Sequence, residues 1–305
     1  MTKSPISPYQ PKSICLLRLS ALGDITHVIP LIRALQHAWP QCHLTWIIGP
    51  REYELVSHIE GIEFILFNKR KGLQEWIQLR KKLKSQTFDI LLQLQTSFRA
   101  NLLSTLVKAQ RRIGWDKSRA REGHRFFISE AISEQAPQHQ VQGFLAFARH
   151  LGIAAHEPSW NIPIQAQSLS FAKQIIDTEK RTLIISPCSS HEKRDWNLAG
   201  YQAVALYAIE QLNMQVILCG GPSKREEAMG LSIANIHPDI INFIGRDTLP
   251  QLVALLSLAD ILLSPDSGPA HIANAVGTKV IGLHAATWSR RSGPYNSQEY
   301  CVDHF

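Results

Sequence analysis

The chain has 305 residues, 45% apolar and 19% charged, with a formal net charge of +7, as expected for a globular protein long enough for two domains. No apolar run approaches the roughly 20 residues of a membrane-spanning helix, and residues 1–12 lack the apolar core of a secretory signal, so we expect a cytoplasmic protein. The five cysteines are never spaced as C-x-x-C, which favours buried reduced thiols over a disulfide framework or a zinc site.

Strand-like and helix-like segments alternate through the first half of the chain. The apolar runs predict strands at residues 14–19, 43–48, 64–67 and 88–94, and helices at residues 25–39, 52–59 and 73–86. The last helix is amphipathic, and the apolar side chains on or near one face are Leu73, Trp76, Ile77, Leu79 and Leu83. Apolar strands that alternate with helices predict a parallel sheet covered on both faces.

A break in this pattern follows Gly152, and residues 156–163, with two prolines and little periodicity, are the best linker candidate. The alternation then restarts, with strands predicted at residues 183–186, 215–221, 261–263 and 279–283 and a helix at residues 201–213. We therefore expect an α/β protein with two Rossmann-like, doubly wound domains, residues 1–157 and 158–305, that face a cleft. Ligands of such sheets bind beyond the carboxyl ends of the strands.

An anion site is predicted at residues 264–271, SPDSGPAH, which follow an apolar strand and precede a helix. The first N–H groups of a helix lack intrahelical partners and carry the positive end of its dipole, so a phosphate or diphosphate fits there. Pro269 suits the first helical turn, where its missing N–H would be unpaired. The alternative is that Asp266 or Ser267 is only an N-cap and that His271 is a packed side chain rather than a phosphate or ribose contact.

A second candidate site is the loop at residues 20–27, which follows the first strand. Gly23 permits an unusual turn there, and Asp24 stands at a helix start. The Asp24 carboxylate is suited to act as a general base, and the alternative is a plain N-cap. The loop has no G-x-G-x-x-G pattern, so the nicotinamide or flavin fingerprint is absent from it.

Two further loops follow predicted strands of the second half. Lys193 and Arg194 are suited to neutralise a departing diphosphate, or else are solvated surface cations, and we expect Trp196 to pack against the next helix. After the glycines at residues 220–221, either Glu226 or Glu227 is suited to bind ribose hydroxyls, and the other is an exposed helix residue.

The charge is unevenly spread. Residues 1–150 carry 21 Lys and Arg against 11 Asp and Glu, a net of +10, whereas residues 151–305 carry 11 against 14, a net of −3. A basic half suits nucleic acid, an anionic membrane surface or an acidic substrate, although residues 80–84 fit a solvated helix face. No nucleic-acid module is recognisable. Arg119 and Arg121 are a weaker candidate site for an anionic group.

Four motifs in order resemble one family. Residues 17–24, 193–196, 220–222 and 266–271, within a likeness that runs from about Ile14 to Asn296, are similar to the lipopolysaccharide heptosyltransferases of glycosyltransferase family 9. The loop at residues 20–24 resembles the first heptosyltransferase more than the second. The resemblance implies a GT-B fold, with the acceptor on the N-terminal domain and the nucleotide sugar on the C-terminal one.

The resemblance also implies inverting, metal-independent transfer of heptose from ADP-L-glycero-D-manno-heptose to the Kdo–lipid A inner core. No cofactor or nucleic acid is expected, and the enzyme is expected to be peripheral to the inner membrane. Asp24 corresponds to the family's base, and Arg194, a lysine in most relatives, to the cation that assists the diphosphate, with Lys193 beside it. The expected donor-binding residues are Ser189, Glu226, Glu227, Asp266, Ser267, Gly268, Pro269, Ala270 and His271. The expected acceptor-binding residues are Ser20, Gly23, Arg119 and Arg121.

Family members usually continue with a C-terminal helix that packs back toward the N-terminal domain, and this sequence ends at Phe305 before it. Domain closure and activity are therefore open at this point. The alternatives are a GT-B enzyme that uses another nucleotide sugar, such as an epimerase of that fold, and a non-catalytic protein that binds a nucleotide sugar or lipopolysaccharide.

Overall fold

The computed structural model of the chain describes residues 10–154 and 157–305. The chain divides into two compact units, Met1–Trp160 and Asn161–Phe305. This division falls inside the predicted linker, of which His156 lies outside the described residues. Within the described part, no helix is long and apolar enough to cross a membrane.

The first unit contains six strands and five helices among its described residues. Its strands are β1 (Ser13–Leu17), β2 (His43–Ile48), β3 (Ile62–Leu66), β4 (Phe88–Gln93), β5 (Ala109–Gly114) and β6 (Glu130–Ala131). Its helices are α1 (Leu22–Ala38), α2 (Pro50–Val56), α3 (Leu73–Leu83), α4 (Phe98–Ser104) and α5 (Gln140–His150). Two short 3₁₀ turns, Lys69–Lys71 and His124–Phe127, follow β3 and β5.

The strands of the first unit form one parallel sheet in the order β3-β2-β1-β4-β5-β6. This is the Rossmann order, and the prediction of a parallel α/β sheet is confirmed. The chain reverses its direction of travel across the sheet between β1 and β4, and ligands of such sheets bind at this switch point. The Asp24 loop directly follows β1, so it lies at the carboxyl edge beside the switch point.

Helices α3 and α4 pack into one apolar cluster with the sheet. Leu79 and Leu83 of α3 and Leu103 of α4 are buried in the same cluster as the β1 residues Cys15 and Leu17. The prediction of a common apolar face on α3 is therefore only partly correct, since Leu73 and Ile77 are exposed. The helix also ends at Leu83, before the predicted residue 86.

The second unit contains six strands and six helices among its described residues. Its strands are β7 (Thr182–Ile185), β8 (Gln215–Leu218), β9 (Ile241–Asn242), β10 (Ile261–Pro265), β11 (Lys279–His284) and β12 (Cys301–Asp303). Its helices are α6 (Ala166–Ile175), α7 (Leu198–Glu210), α8 (Lys224–Ala234), α9 (Leu249–Leu258), α10 (Gly268–Val276) and α11 (Ser289–Ser292).

The second sheet is also parallel, in the order β12-β11-β10-β7-β8-β9. Its switch point lies between β10 and β7. The three loops that the sequence singled out in this half follow β7, β8 and β10, which are neighbours in the sheet. Because all these strands run in one direction, the three loops meet at one edge.

The strands that sequence patterns missed are short or charged. β5 carries Arg111 and Arg112, which find partners only in the folded unit. Arg111 forms a bidentate ion pair with Glu130 of β6 at 2.7 and 2.6 Å, and Arg112 donates to the carbonyl oxygens of Phe127, Val107 and Ser104.

A buried polar network fixes the loop that follows β5. His124 is 1% exposed, and its Nε2 accepts a hydrogen bond from the Trp115 N–H at 3.0 Å. Its Nδ1 therefore donates to Asn101 Oδ1 at 2.9 Å, and Asn101 Nδ2 donates to the carbonyl oxygen of Glu122. Burial lowers the pKa of His124 from 6.5 to about 4, so the ring is neutral near pH 7.

We expect His124 to make the protein sensitive to acid. Since its folded pKa lies below its unfolded value, the unfolded state binds the extra proton, and stability falls as pH drops from above 6.5 through about 4. The shift corresponds to about 3 kcal/mol of unfolding free energy. His124→Gln should destabilise the protein at pH 7, and this difference from wild type should shrink toward pH 4 in urea denaturation series. A difference that is constant with pH would contradict this.

Candidate functional site

The Asp24 loop is tied to the neighbouring strand. The Leu19 N–H donates to Gln95 Oε1 at 2.8 Å, and Arg18 Nη1 donates to the carbonyl oxygen of Leu94 at 2.8 Å. Both acceptors follow β4, across the switch point from β1. These bonds fix the loop at the carboxyl edge of the sheet.

Asp24 lies in the first turn of α1 and not at its cap. The helix begins at Leu22, three residues before the predicted start, and Asp24 Oδ2 accepts from the N–H of the N-cap residue Ala21 at 3.3 Å. The same oxygen forms an ion pair with Arg18, whose guanidinium also lies 5.6 Å from the Phe144 ring centre. The Asp24 side chain is 29% exposed, and its Oδ1 has no partner among the described residues. One carboxylate oxygen is thus held in place, and the other can accept a proton.

The other expected acceptor residues differ in how far they are engaged. Ser20 is half-buried, and its hydroxyl has no partner within the described chain, while the Gly23 carbonyl oxygen accepts from Thr26 Oγ1 at 2.6 Å. Arg119 is bound to Asp116 by a 2.5 Å hydrogen bond and lies 4.8 Å from the Trp115 ring centre.

Arg121 is the more available of the two candidate cations. Its Nη1 reaches the carbonyl oxygens of Ser118 and Ala120 only at 3.4 Å, and it forms no ion pair with any described residue. Arg119 is therefore neutralised by its ion pair with Asp116, whereas Arg121 is exposed and available to bind an anion.

The N-terminus of α10 is open, as an anion site requires. Ser267 occupies the N-cap position, but its hydroxyl does not cap the helix and pairs with Ser264 Oγ at 2.8 Å. Gly268 and Pro269 occupy the first helical positions, so the N–H groups of Gly268 and Ala270 lack intrahelical acceptors. Ser267 is thus the N-cap residue of the alternative interpretation, but its side chain makes no capping bond, and the N–H groups that lack acceptors lie where strand β10 ends.

Asp266 is the centre of a buried charged cluster at this edge. Its Oδ1 lies 3.2 Å from His271 Nε2, and its Oδ2 lies 3.4 Å from Arg194 Nη1 and 3.4 Å from Ser292 Oγ. Burial by itself would raise the pKa of Asp266, but the bond and charge of His271, a bond from Thr287 and the charge of Arg194 together lower it from 3.8 to about 2. Asp266 is ionised and holds Arg194 and His271 beside the start of α10.

The loop after β7 presents two cations in different states. Lys193 is exposed and forms no ion pair with any described residue, whereas the Arg194 side chain is 33% exposed and held by Asp266. The sequence did not single out Arg225, yet it braces this loop, forming an ion pair with Asp195 and donating to the Ser189 carbonyl oxygen. The available signal was its position in the first turn of α8, four residues after Gly221.

Ser189 forms hydrogen bonds within the loop that follows β7. It is buried, its N–H donates to Asp195 Oδ1 at 2.7 Å, and its hydroxyl donates to the His191 carbonyl oxygen at 2.8 Å. Trp196 packs edge-on against Tyr201 of α7, with ring centres 5.3 Å apart, which confirms the expectation that it supports the next helix.

The two glutamates of α8 have separate surroundings. Glu226 completes a capping box, because its Oε2 accepts from the Ser223 N–H at 3.4 Å and from the Ser223 hydroxyl at 3.0 Å. Glu227 is exposed and its carboxylate has no partner in the part of the chain described. Both lie against glycines at the carboxyl edge, Glu226 near Gly221 and Glu227 near Gly245.

All five cysteines are free thiols, and burial raises the pKa of Cys15 and Cys219 well above the ordinary value. Among residues 10–154 and 157–305 there is no cluster of His, Cys, Asp or Glu side chains that could hold a metal ion.

A family model for glycosyltransferase family 9 (heptosyltransferase) matches residues 76–304, well over half of the chain. The chain belongs to glycosyltransferase family 9. It is 42% identical, over 299 residues, to the lipopolysaccharide core heptosyltransferase OpsX of Haemophilus influenzae, and the match covers 98% of this chain and 86% of OpsX. The family resemblance read from the four motifs is thus confirmed.

Solved structures of this family share the fold. A family 9 glycosyl transferase from Veillonella parvula superposes with a TM-score of 0.83 at 20% identity, covering 96% of this chain and 85% of that one. The Escherichia coli heptosyltransferase WaaC, solved with ADP, superposes with a TM-score of 0.80 at 17% identity, covering 95% and 92%. At these identities the likeness shows the fold alone, and it confirms the GT-B expectation.

The capping role of Glu226 predicts a difference in stability between the two glutamates. Glu226→Ala should lower the unfolding free energy by about 1 kcal/mol because Ser223 loses the acceptor of its N–H and hydroxyl bonds. Glu227→Ala, one position along the same helix, should change it by less than about 0.5 kcal/mol because it removes no bond. Urea denaturation of both variants measures this, and equal losses would contradict the assignment of the cap.

Proposed function

We propose that this protein is an inverting heptosyltransferase that moves L-glycero-D-manno-heptose from ADP-heptose to the Kdo–lipid A inner core of lipopolysaccharide. The observation that carries the proposal is the 42% identity with OpsX over 98% of the chain, a span that includes both the Asp24 loop and the start of α10. The names of the matched structures support the donor class, since one of them, WaaC, was solved with ADP.

The second unit binds the donor in this proposal. The open N–H groups at the start of α10 receive the diphosphate, and Lys193 and Arg194 offset the charge that develops as ADP leaves. Asp266 is an anion with both oxygens bound by protein groups, so it acts by positioning Arg194 and His271 rather than by touching phosphate. Lys193, Arg194 and the N–H groups at the start of α10 supply the positive charge for a metal-independent transfer. Glu226 or Glu227 binds the ribose.

Asp24 of the first unit is the general base. Its Oδ1 takes the proton of the acceptor hydroxyl while that oxygen bonds to the anomeric carbon and the bond from this carbon to the diphosphate oxygen breaks. Attack from the face opposite the leaving group inverts the configuration. Arg18 is a positioning residue, because its ion pair with Oδ2 leaves Oδ1 as the oxygen without a partner in the described chain.

The basic first unit suits the acceptor, which carries phosphate and carboxylate groups. Arg121 and the Ser20 hydroxyl are the open contacts for it, and Arg119 shapes the same loop through Asp116. We infer that the protein works in the cytoplasm, peripheral to the inner membrane, because the acceptor is anchored there by its acyl chains.

The base assignment predicts that Asp24→Asn reduces kcat by about 10²-fold or more, the typical contribution of a general base. Binding of ADP, measured by calorimetry, should stay within twofold of wild type because Asp24 belongs to the acceptor-binding unit. The assay is release of ADP from ADP-heptose with purified protein and a Kdo–lipid A acceptor.

The matched control is Glu130→Gln. This substitution breaks another Arg–carboxylate ion pair of the same unit, between Arg111 of β5 and Glu130 of β6. It should lose comparable stability and keep its kcat. Full activity of Asp24→Asn would remove the proposed base.

The donor assignment predicts that Arg194→Ala lowers kcat more than Lys193→Ala does, because Asp266 holds Arg194 beside α10 and nothing in the described chain holds Lys193. We expect a loss of about 10²-fold for Arg194→Ala, as for other preorganised groups that stabilise developing charge. Lys180→Ala, an exposed lysine before the amino end of β7, is the control at the opposite edge of the sheet.

A larger loss with Lys193→Ala would assign the diphosphate to that side chain instead. Titration with ADP, UDP and GDP separates the donor from that of other GT-B enzymes, and tighter binding of UDP than of ADP would contradict an ADP-sugar donor.

A further inference from the structure

The exposed large apolar side chains of residues 10–154 are gathered in one region. They lie on α3, on α4 and on the 3₁₀ turn after β5, and they are Leu73, Ile77, Phe98, Leu102 and Phe126. Leu73 is 75% exposed and Phe126 74%. A single exposed apolar side chain is common, but a group of them marks an interaction surface. We call the surface formed by these five side chains and the cations around them the α3–α4 outer face.

These elements cover the same side of the sheet. The inner sides of α3 and α4 share one buried cluster, so their outer sides point in the same general direction. The 3₁₀ turn is fastened to α4, because the Glu122 carboxylate accepts from the Phe98 N–H at 2.5 Å and the Glu122 carbonyl oxygen accepts from Asn101 Nδ2 at 2.9 Å. Phe126 therefore extends the surface that Phe98 and Leu102 begin.

The α3–α4 outer face is strongly cationic. Residues 69–84 contain seven Lys and Arg against a single acid, Glu75, which is buried and bonded to the Asn68 N–H. The α4 side adds Arg99, Arg121 and Arg125, which are all exposed. The acid within this stretch, Glu122, uses its carboxylate to accept a hydrogen bond from the Phe98 N–H of α4.

We propose that the α3–α4 outer face docks on an anionic lipid bilayer, with Leu73, Phe98 and Phe126 inserted among the headgroups and the surrounding cations paired with lipid phosphates. Isolated apolar side chains separated by Lys and Arg fit the interfacial zone of a membrane better than a dry protein interface, whose core is depleted of charge. The inference rests on the proposed function for its purpose, which is to bring a lipid-anchored acceptor to Asp24.

The position of the face suits that purpose. Leu73 begins α3 after β3, Phe98 begins α4 after β4, and the Asp24 loop follows β1. Because the sheet is parallel, these three segments lie toward its carboxyl edge. A bilayer that holds the acceptor would thus meet the same end of the first unit that carries the base.

The test is sedimentation of the full chain with vesicles of phosphatidylcholine alone or mixed with phosphatidylglycerol, both free of lipopolysaccharide. Wild type should bind only the anionic vesicles. The double variant Leu73→Ser, Phe126→Ser should bind them about tenfold more weakly, because two apolar side chains no longer insert. Lys81→Gln should weaken binding about fivefold, and salt should weaken binding by wild type.

The matched control is Leu212→Ser, Leu231→Ser, since these leucines of the second unit are each 53% exposed. It should bind like wild type, and thermal melts of both double variants should match, because no buried contact is removed. Equal vesicle binding by the two double variants, or no binding by wild type, overturns the proposal. Wild-type self-association that Leu73→Ser, Phe126→Ser abolishes, without vesicle binding, would assign the face to a second copy instead.

A transfer assay separates this inference from the proposed function. Leu73→Ser, Phe126→Ser should lose activity on acceptor embedded in anionic vesicles and keep wild-type kcat on a water-soluble, deacylated acceptor. If wild type binds vesicles through this face but transfers no heptose to either acceptor, the proposed function fails and the docking surface stands. Equal loss on both acceptors overturns a membrane role for the face.

Discussion

Parallel strand pairing is the constraint on which the rest of this structure depends. Every strand pair in both sheets is parallel, so each loop that leaves a strand's carboxyl end emerges at the same edge of its sheet. Strand order then decides which of those loops meet. In the second unit, β10, β7 and β8 are neighbours, and this brings Arg194 to Asp266 although 72 positions separate them along the chain.

Electrostatics at these edges follows a common pattern in the two units. Each carries a carboxylate that holds an arginine: Asp24 with Arg18 in the first unit and Asp266 with Arg194 in the second. The two carboxylates differ in burial, and that difference separates their proposed roles. Asp266 is 8% exposed and uses both oxygens internally, so it suits an organising role, whereas Asp24 is 29% exposed and keeps one oxygen open.

The helices of the first unit also differ in how much of their surface is buried. Helix α1 is buried at every position from Ile25 to Ile32. It packs against α5 and Trp160, whose indole N–H donates to the Thr26 carbonyl oxygen at 2.9 Å. Helices α3 and α4 bury only the sides that face the sheet. Their outer sides keep apolar groups in water beside a concentration of positive charge, and this asymmetry motivates the membrane-docking inference.

Local sequence patterns were sufficient for most of the core. Apolar runs identified β1, β2, β4, β7 and β8 because a strand buried on both faces needs uninterrupted apolar side chains. They failed for β5, whose arginines are satisfied by Glu130 and by backbone carbonyl oxygens distant in sequence, and for two- and three-residue strands that carry too little pattern to detect. The amphipathic pattern of α3 likewise could not reveal that Leu73 and Ile77 are exposed.

The sequence by itself determined the α/β class, the family and the segments that carry the candidate site, because periodicity and short motifs record interactions between near neighbours in the chain. Only the tertiary structure decided how each side chain is used. Ser267 leaves its helix uncapped, Glu226 is used as a cap, Arg119 is neutralised by Asp116, and Arg18 selects which oxygen of Asp24 stays open. The physical reason is that a polar group's role depends on which partners reach it, and those partners are set by strand order and loop geometry rather than by the residues beside it.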